Sequence, residues 1–226
     1  MSQTRDAPGH QLRLEAALWY NGGEMTQPKL LLASNNAHKL QELRDVLAGV
    51  PFDLVAPADV GLDLNVPEDG ATYAENATRK ARAFAAASGL LTLADDSGLE
   101  VQALGGRPGL RSARYAGEGA PYAQRIAKLL GELANVPWEQ RQARFVCVIA
   151  IATPGGEVHL CAGECAGLIA FSPRGEGGFG YDPVFFLPEQ NQTMAELPAA
   201  IKNQISHRGR AGQAARAVLA KLRKEQ

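Results

Sequence analysis

One stretch of the sequence decides the fold: Leu90-Leu-Thr-Leu-Ala-Asp-Asp-Ser-Gly-Leu99. Its apolar half, Leu90 to Ala94, predicts a buried strand. We expect that strand to stop at the adjacent carboxylates Asp95 and Asp96 and to continue over 99–103. Ligands bind at strand ends in open α/β sheets, and adjacent acids repel one another unless a cation or hydrogen bonds offset their charge. The stretch is therefore a candidate metal site, although Asp-Ser-Gly also suits a simple turn.

Strands and helices alternate around this stretch. The pattern predicts strands over 29–34 and 52–56, a helix after the turn at 35–38, a helix over 72–88, a helix from Pro121, a hairpin of strands 145–152 and 158–166, a strand over 184–187 and a basic helix over about 206–223. Thr72 and Glu75 form a capping box, and Gly89 stops the helix that they begin. We expect a single α/β unit with a mixed sheet over residues 25–226. Residues 1–24 form an N-terminal extension without a secretory signal, and Met25 is a candidate start.

Composition narrows the class of protein. The 226 residues are 46% hydrophobic and 21% charged, which is typical of a soluble globular chain. A net charge of −1 argues against a general nucleic-acid binder, and no apolar run approaches the roughly 20 residues that cross a bilayer. Cys147, Cys161 and Cys165 lack a CxxC pair and are expected to be buried reduced thiols. We therefore expect a cytoplasmic protein with a small-molecule partner, no stable nucleic acid and no membrane.

Two segments have the chemistry to hold a polyphosphate. The turn Ser34-Asn35-Asn36-Ala37-His38-Lys39 joins a strand to a helix, where free backbone N–H groups and a lysine attract phosphate. A polar turn with Asn36 as N-cap explains the same residues. Asn76 and Lys80 lie four residues apart on one face of the 72–88 helix.

Three further groups each allow two interpretations. Glu68 and Asp69 are candidates to reach a cation near the acidic stretch, or they favourably charge a helix start. The segment Phe179-Gly180-Tyr181-Asp182 offers aromatics that stack on a purine, or core residues of a bend. A basic pair, His207-Arg208, opposes the dipole at a helix N-terminus, which indicates an acceptor-rich ligand, or it is a solvated face.

In their order along the chain, these motifs resemble one family, the non-canonical purine nucleoside triphosphate pyrophosphatases, also described as inosine/xanthosine triphosphate pyrophosphatases. The matching text is Leu-Ala-Ser-Asn-Asn-Ala-His-Lys (32–39), Glu-Asn-Ala-Thr-Arg-Lys-Ala (75–81), Ala-Asp-Asp-Ser-Gly-Leu (94–99), Gly-Gly-Arg-Pro-Gly-Leu-Arg-Ser-Ala-Arg-Tyr (105–115), Gly-Gly-Phe-Gly-Tyr-Asp-Pro (177–183) and Ser-His-Arg-Gly (206–209). The resemblance covers nearly all of residues 29–222 and leaves 1–24 outside.

The resemblance implies an activity and a site. The activity is Mg2+-dependent hydrolysis of ITP, dITP and XTP to the monophosphate and pyrophosphate, by a homodimer whose two-lobed α/β fold surrounds a long mixed sheet with the site in the cleft. Asp96 would be the catalytic base or metal-bound acid, Glu68 the second metal ligand, and Asp95 a supporting group. The implied triphosphate-binding residues are Ser34, Asn35, Asn36, Ala37, His38, Lys39, Lys80, Ser97 and Lys202; the implied base-recognition residues are Phe179, Gly180, Tyr181, Asp182, His207 and Arg208.

Substrate choice sets a chemical requirement on this site. Discrimination against adenine needs groups that donate to a purine O6 and accept from N1–H, because adenine reverses the pattern at C6. Guanine shares that edge, so its rejection must come from around C2. Two other functions remain open: a pyrimidine-directed pyrophosphatase of related architecture, and a nucleotide-binding regulator without turnover.

Overall fold

A computed structural model describes residues 27–225; the predicted extension over 1–24 lies outside them. The helices and strands are, in order, β1 (Lys29–Leu32), α1 (Ala37–Val46), β2 (Asp53–Val55), α2 (Tyr73–Ser88), β3 (Leu91–Val101), α3 (Tyr122–Glu132), β4 (Gln142–Ala152), β5 (Val158–Ile169), β6 (Phe185–Leu187), β7 (Gln192–Thr193), α4 (Ala199–Ile205) and α5 (His207–Lys224). Short 3₁₀ helices join several of them, including Gly109–Arg114. Within the described residues, no helix has the combined length and apolarity that crossing a membrane requires.

The strands form a mixed seven-stranded sheet of order β2-β1-β3-β4-β5-β6-β7. β1 pairs in parallel with β2 and β3, and every pairing from β3 onwards is antiparallel. The predicted hairpin joins β4 to β5, and β4 is also the antiparallel partner of β3. The α/β class and the mixed sheet predicted from the sequence are confirmed.

The acidic stretch does not end its strand, and that prediction was wrong. β3 continues through both carboxylates to Val101, because its antiparallel pairing with β4 runs without a break from Thr92 to that residue. What stops is the parallel neighbour: β1 pairs with β3 only as far as Leu93. Asp95 and Asp96 therefore lie where β3 first loses a strand on one side, and this opens the sheet edge to side chains from helices.

Apolar residues pack on both faces of the sheet and around its far half. One cluster joins β1 and β3 to α1 and α5, and a second joins the opposite face to Ala77, Ala81 and Phe84 of α2. A third cluster surrounds the second half of β3 and the first half of β4, and it includes Ile126 and Leu129 of α3. The sheet thus carries two lobes, and α3 belongs to the lobe opposite α1 and α2.

Capping residues determine where the helices that face Asp95 and Asp96 begin and end. The Thr72 hydroxyl accepts from Glu75 N at 3.1 Å and caps α2, whereas the Glu75 carboxylate accepts from Ala71 N, one residue earlier than a closed capping box requires. Gly89 ends α2 in the left-handed region with φ 69°. Ser206 caps α5 through Gly209 N at 3.1 Å. The start of α5 lies against Gly163 of β5, where a Cβ atom would be 2.3 Å from the His207 carbonyl oxygen.

Candidate active site

Strand alternation separates the two adjacent carboxylates. Neighbouring residues of a strand point to opposite faces of the sheet, so Asp95 faces α1 and α5 whereas Asp96 faces α2. Both carboxylates are buried, with side chains 0% and 6% exposed. Two acids that would repel one another in a turn therefore sit in different surroundings and can take different roles.

Asp95 is held between two cations. Its Oδ2 accepts from Arg208 Nη2 at 3.0 Å and lies 3.2 Å from Lys39 Nζ. Burial opposes ionisation of this group, but the charges of Lys39 and Arg208 outweigh it and keep the pKa of Asp95 below its usual range. Asp95 is therefore a permanent anion that positions a lysine from α1 and an arginine from α5.

Asp96 has weaker charge compensation. Its Oδ2 accepts from Asn76 Nδ2 at 2.9 Å and its Oδ1 from Ser97 N at 2.8 Å. Burial raises the pKa of Asp96 above the ordinary value for an aspartate, and the charge of Lys39 and the Asn76 hydrogen bond oppose this only in part. A carboxylate oriented by two donors and reluctant to ionise is suited to accept a proton.

Asp96 lines a cleft between the two lobes, and Lys39 and Glu68 line the same cleft. The cleft is also lined by Asn36, Ser97, Arg114, Tyr122, Arg125, Phe145, Phe179, Gly180, Tyr181, Asp182, Lys202, His207 and Arg208. An adjoining recess shares Asn36, Lys39 and Glu68 with the cleft and adds Ser34, Asn35 and Lys80. Cleft and recess together contain every catalytic, metal-binding and substrate-binding residue that the resemblance implies except Ala37 and His38; the supporting Asp95 is buried and lines neither.

The 34–39 turn has the predicted geometry of a helix start. The Asn36 side chain accepts from His38 N at 3.0 Å and from Lys39 N at 3.2 Å, so it is the N-cap of α1. Ala37 is the first residue of that helix. The His38 ring stacks on the Phe179 ring, with centroids 5.3 Å apart. The capping interpretation of Asn36 is confirmed, and it leaves the turn facing the recess.

The recess brings Lys80 against Glu68. Lys80 Nζ lies 2.5 Å from Glu68 Oε1, and Lys80 is only 8% exposed. Burial disfavours its charge, but Asp95 and Glu68 outweigh burial and raise the pKa of Lys80. Asp69, the other candidate acid, is exposed and pairs with Arg79. Of the two, only Glu68 lines the cleft with Asp96.

The far end of the cleft is a network of buried ions. Lys202 Nζ lies 2.5 Å from Asp182 Oδ2 and 2.5 Å from Glu42 Oε1. Glu42 also accepts from Arg208 Nη1 at 2.7 Å, and Arg208 is 2% exposed. The solvated-face interpretation of the basic pair is therefore wrong: Arg208 points inward because acids from α1 and β3 stabilise its charge.

One residue at the far end of the cleft, His207, is uncharged. His207 is 5% exposed and stacks on Phe145 with centroids 4.5 Å apart. Burial, together with the charges of Arg208 and Lys202, lowers the pKa of His207 well below its usual range, so the imidazole is neutral. Its Nδ1 is buried and has no hydrogen-bond partner among residues 27–225. Tyr181 is a core residue, since it is 4% exposed and its hydroxyl donates to Ser112 O at 3.0 Å.

Sequence patterns missed several residues that line the cleft or hold its charged side chains in place. Glu42 lies in the middle of α1 and its partners, Lys202 and Arg208, are 160 and 166 positions away, so no local signal marks it. Tyr122 and Arg125 read from the sequence only as polar positions of the helix predicted from Pro121, which is α3. Asn76 had a signal, its spacing from Lys80, and proves to be the donor to Asp96.

Comparisons with known proteins agree with this arrangement. The Ham1 family model matches residues 30–218. The chain is 52% identical over 183 residues to the dITP/XTP pyrophosphatase of Geobacter sulfurreducens, covering 81% of this chain and 92% of the relative, and 49% identical over 185 residues to that of Haemophilus influenzae, covering 81% and 94%. The structure of a HAM1 protein from Coxiella burnetii superposes with a TM-score of 0.78 at 41% identity, covering 86% of this chain and 99% of that one.

A third structure extends the comparison. The nucleoside-triphosphatase / dITP/XTP pyrophosphatase of Mycobacterium abscessus is 45% identical, has a TM-score of 0.67, and covers 83% of this chain and 98% of its own. The resemblance read from the ordered motifs is thus confirmed by a family model, by relatives about half identical, and by shared structure. On these grounds the chain belongs to the Ham1 family.

Proposed function

We propose that this protein hydrolyses non-canonical purine nucleoside triphosphates (ITP, dITP and XTP) to the monophosphate and pyrophosphate. The observation that carries the proposal is the single cleft in which buried Asp96, the cations Lys39 and Lys202, and neutral His207 meet. The names of the relatives, dITP/XTP pyrophosphatases, support the substrate class.

Asp96 is the proposed general base. Ser97 N and Asn76 Nδ2 fix its two oxygens, so the carboxylate can orient a water and take its proton as the oxygen attacks the α-phosphorus. The bond from the α-phosphorus to the bridging oxygen breaks, and pyrophosphate leaves with the bonding electrons. Charge therefore grows on the β-phosphate side, where Lys39 and Lys80 can stabilise it.

The donor set of the cleft fits Mg2+. Glu68 and Asp96 offer carboxylate oxygens, and within residues 27–225 no group of three or more His, Cys, Asp or Glu side chains could hold an ion alone. Mg2+ is commonly bound by one or two carboxylates with water and substrate phosphates as the remaining ligands. When bound, it would polarise the phosphoryl oxygens. Lys80 at 2.5 Å holds Glu68 at the cleft.

The 34–39 turn and the network of buried ions are proposed to bind different parts of the substrate. The backbone N–H groups at the start of α1 and the side chains of Ser34 and Lys39 are proposed to bind the triphosphate. At the other end, the Phe179 ring is proposed to stack on the base. Arg208 and Lys202 would donate to O6, and Asp182, fully buried beside them, would accept from N1–H.

We further propose a homodimer in the cytoplasm, with residues 25–226 as the catalytic domain and residues 1–24 outside it. The family model begins at residue 30, in keeping with this boundary. Cys147, Cys161 and Cys165 are buried free thiols, which suits a reducing compartment. Light scattering of the purified chain tests the dimer, and a monomeric mass would refute it.

One assay tests the function. Purified protein is incubated with Mg2+ and, separately, ITP, XTP, GTP, ATP and a pyrimidine triphosphate, and the products are identified. We expect inosine and xanthosine monophosphates with pyrophosphate, and far slower turnover of the others. Orthophosphate as the main product, equal rates on all substrates, or a preference for the pyrimidine would refute the proposal; tight nucleotide binding without turnover would indicate a regulator.

A further inference from the structure

The five lysine and arginine side chains that line the cleft differ in one respect. Four face an acid of the protein: Lys39 faces Asp95, Lys202 faces Asp182 and Glu42, Arg208 faces Asp95 and Glu42, and Arg114 lies 3.7 Å from Glu118. The fifth is Arg125. Its buried Nε has no hydrogen-bond partner, and its guanidinium forms no ion pair within the described part of the chain. A buried donor without an acceptor costs free energy unless a ligand satisfies it.

Arg125 lies at the end of the cleft proposed to hold the base. Its guanidinium carbon is 5.0 Å from the centroid of the Tyr122 ring, one turn earlier on α3, and that ring is 6.2 Å from Phe179. The Arg125 charge also reaches Tyr181, where it partly offsets the effect of burial on the pKa of that hydroxyl. Arg125, Tyr122 and Phe179 do not line the adjoining recess that holds Ser34 and Lys80.

Arg125 belongs to a different lobe from Arg208 and Lys202. Arg208 and Lys202 belong to α5 and α4, whereas Arg125 projects from α3 of the opposite lobe. A purine bound with its O6 toward Arg208 would leave another edge facing α3. That edge meets a guanidinium, which is a planar fork of donors with no acceptor.

Purines differ at C2 in the property that such a fork can sense. Hypoxanthine carries only hydrogen there, and guanine carries an amino group, which donates. Xanthine carries a carbonyl oxygen, which accepts, and its N3–H is acidic enough to be lost near neutral pH, so this edge also bears negative charge. An arginine at C2 therefore matches xanthine, is indifferent to hypoxanthine and leaves the guanine amino group facing donors.

We propose that Arg125 is a specificity-determining residue that faces the C2 edge of the bound purine, favours xanthine through its N–H donors and disfavours guanine. The inference rests on the proposed function, since it assigns a base specificity to the same cleft. It also supplies the discrimination at C2 that the O6 and N1–H edge leaves unsolved.

The test compares Arg125→Met, which keeps the length of the side chain and removes its donors, with Lys128→Met as control. Lys128 lies on the same helix but is exposed and pairs with Glu132 at 2.9 Å. For each protein, kcat/KM is measured with XTP, ITP and GTP, and thermal unfolding checks the fold. We expect Arg125→Met to lower the XTP-to-ITP ratio about ten-fold or more and to raise the GTP-to-ITP ratio. The control keeps both ratios.

Binding of xanthosine and inosine monophosphates, measured by calorimetry without metal, gives a readout independent of turnover. The same loss of preference for xanthosine monophosphate is expected there. An equal loss of kcat/KM for XTP, ITP and GTP would mean that Arg125 contacts the ribose or an atom common to the three bases, and an unchanged XTP-to-ITP ratio would mean no contact with C2. Either result overturns the inference. Failure of the wild-type protein to release pyrophosphate from ITP or XTP would instead refute the proposed function.

Discussion

Replacing Asp95 by Asn tests whether one buried charge holds the two halves of the site together. The substitution keeps the shape and a hydrogen-bond acceptor for Arg208 but removes the anion that lies 3.0 Å from Arg208 and 3.2 Å from Lys39. Arg208, which is 2% exposed, then keeps Glu42 as its one acidic partner among residues 27–225. Breaking a buried ion pair from one side costs about 3–5 kcal/mol, and the retained acceptor favours the lower end, about 3 kcal/mol.

Urea unfolding measures this loss directly, and Asp59→Asn is the matched control. Asp59 also pairs with an arginine, Arg44, at 3.4 Å, but their side chains are 52% and 41% exposed. An exposed pair contributes about 0–1 kcal/mol, and the amide oxygen can still accept from Ala56 N as Asp59 does now. For a domain of this size, a 3 kcal/mol loss corresponds to about 6–12 °C in Tm. If Asp95→Asn costs no more than the control, the reasoning about buried charge is refuted.

Three other substitutions probe separate parts of the site. Asp96→Asn should lower kcat about 100-fold or more while calorimetry still detects ITP binding, because the amide cannot take a proton; normal turnover would remove Asp96 from the mechanism. Gly163→Ala should lower the free energy of unfolding in urea by about 1–3 kcal/mol and raise KM for ITP, because the new Cβ would lie 2.3 Å from His207 O and displace the start of α5. An unchanged KM would show that α5 can move without affecting substrate binding. Phe179→Ala should raise KM for ITP about 5- to 150-fold through loss of stacking worth about 1–3 kcal/mol, and a fall in kcat alone would contradict a role in base binding.

The sequence predicted most elements because their signals are local. Thr72 and Gly89 delimit α2, Ser206 begins α5, and the apolar segments on either side of Pro154-Gly155-Gly156 mark β4 and β5. The end of β3 was misjudged for the opposite reason: pairing with β4 carries the strand past Asp96, and pairing depends on residues about 50 positions away. α4 was missed because it has seven residues and no side-chain cap.

The residues of the candidate site also fall into a predicted group and a group that was not predicted. Motif residues such as Asp96, Lys39 and Arg208 were placed in one cleft by resemblance, and the structure brings them there. The partners that set their charge were not predicted. Glu42 is one polar residue on an amphipathic helix, and only the packing of α1 beside α4 and α5 makes it a shared acid for Lys202 and Arg208.

The alternation of Asp95 and Asp96 across the sheet makes β3 intolerant of any change in length. Deleting or inserting a single residue before Asp95 would turn each following side chain through half a revolution, because the strand has a period of two. The permanent anion would then face Asn76, and the proton acceptor would lie between Lys39 and Arg208. A one-residue deletion would therefore exchange the surroundings of both carboxylates at once, whereas a substitution such as Asp95→Asn or Asp96→Asn alters only one of them.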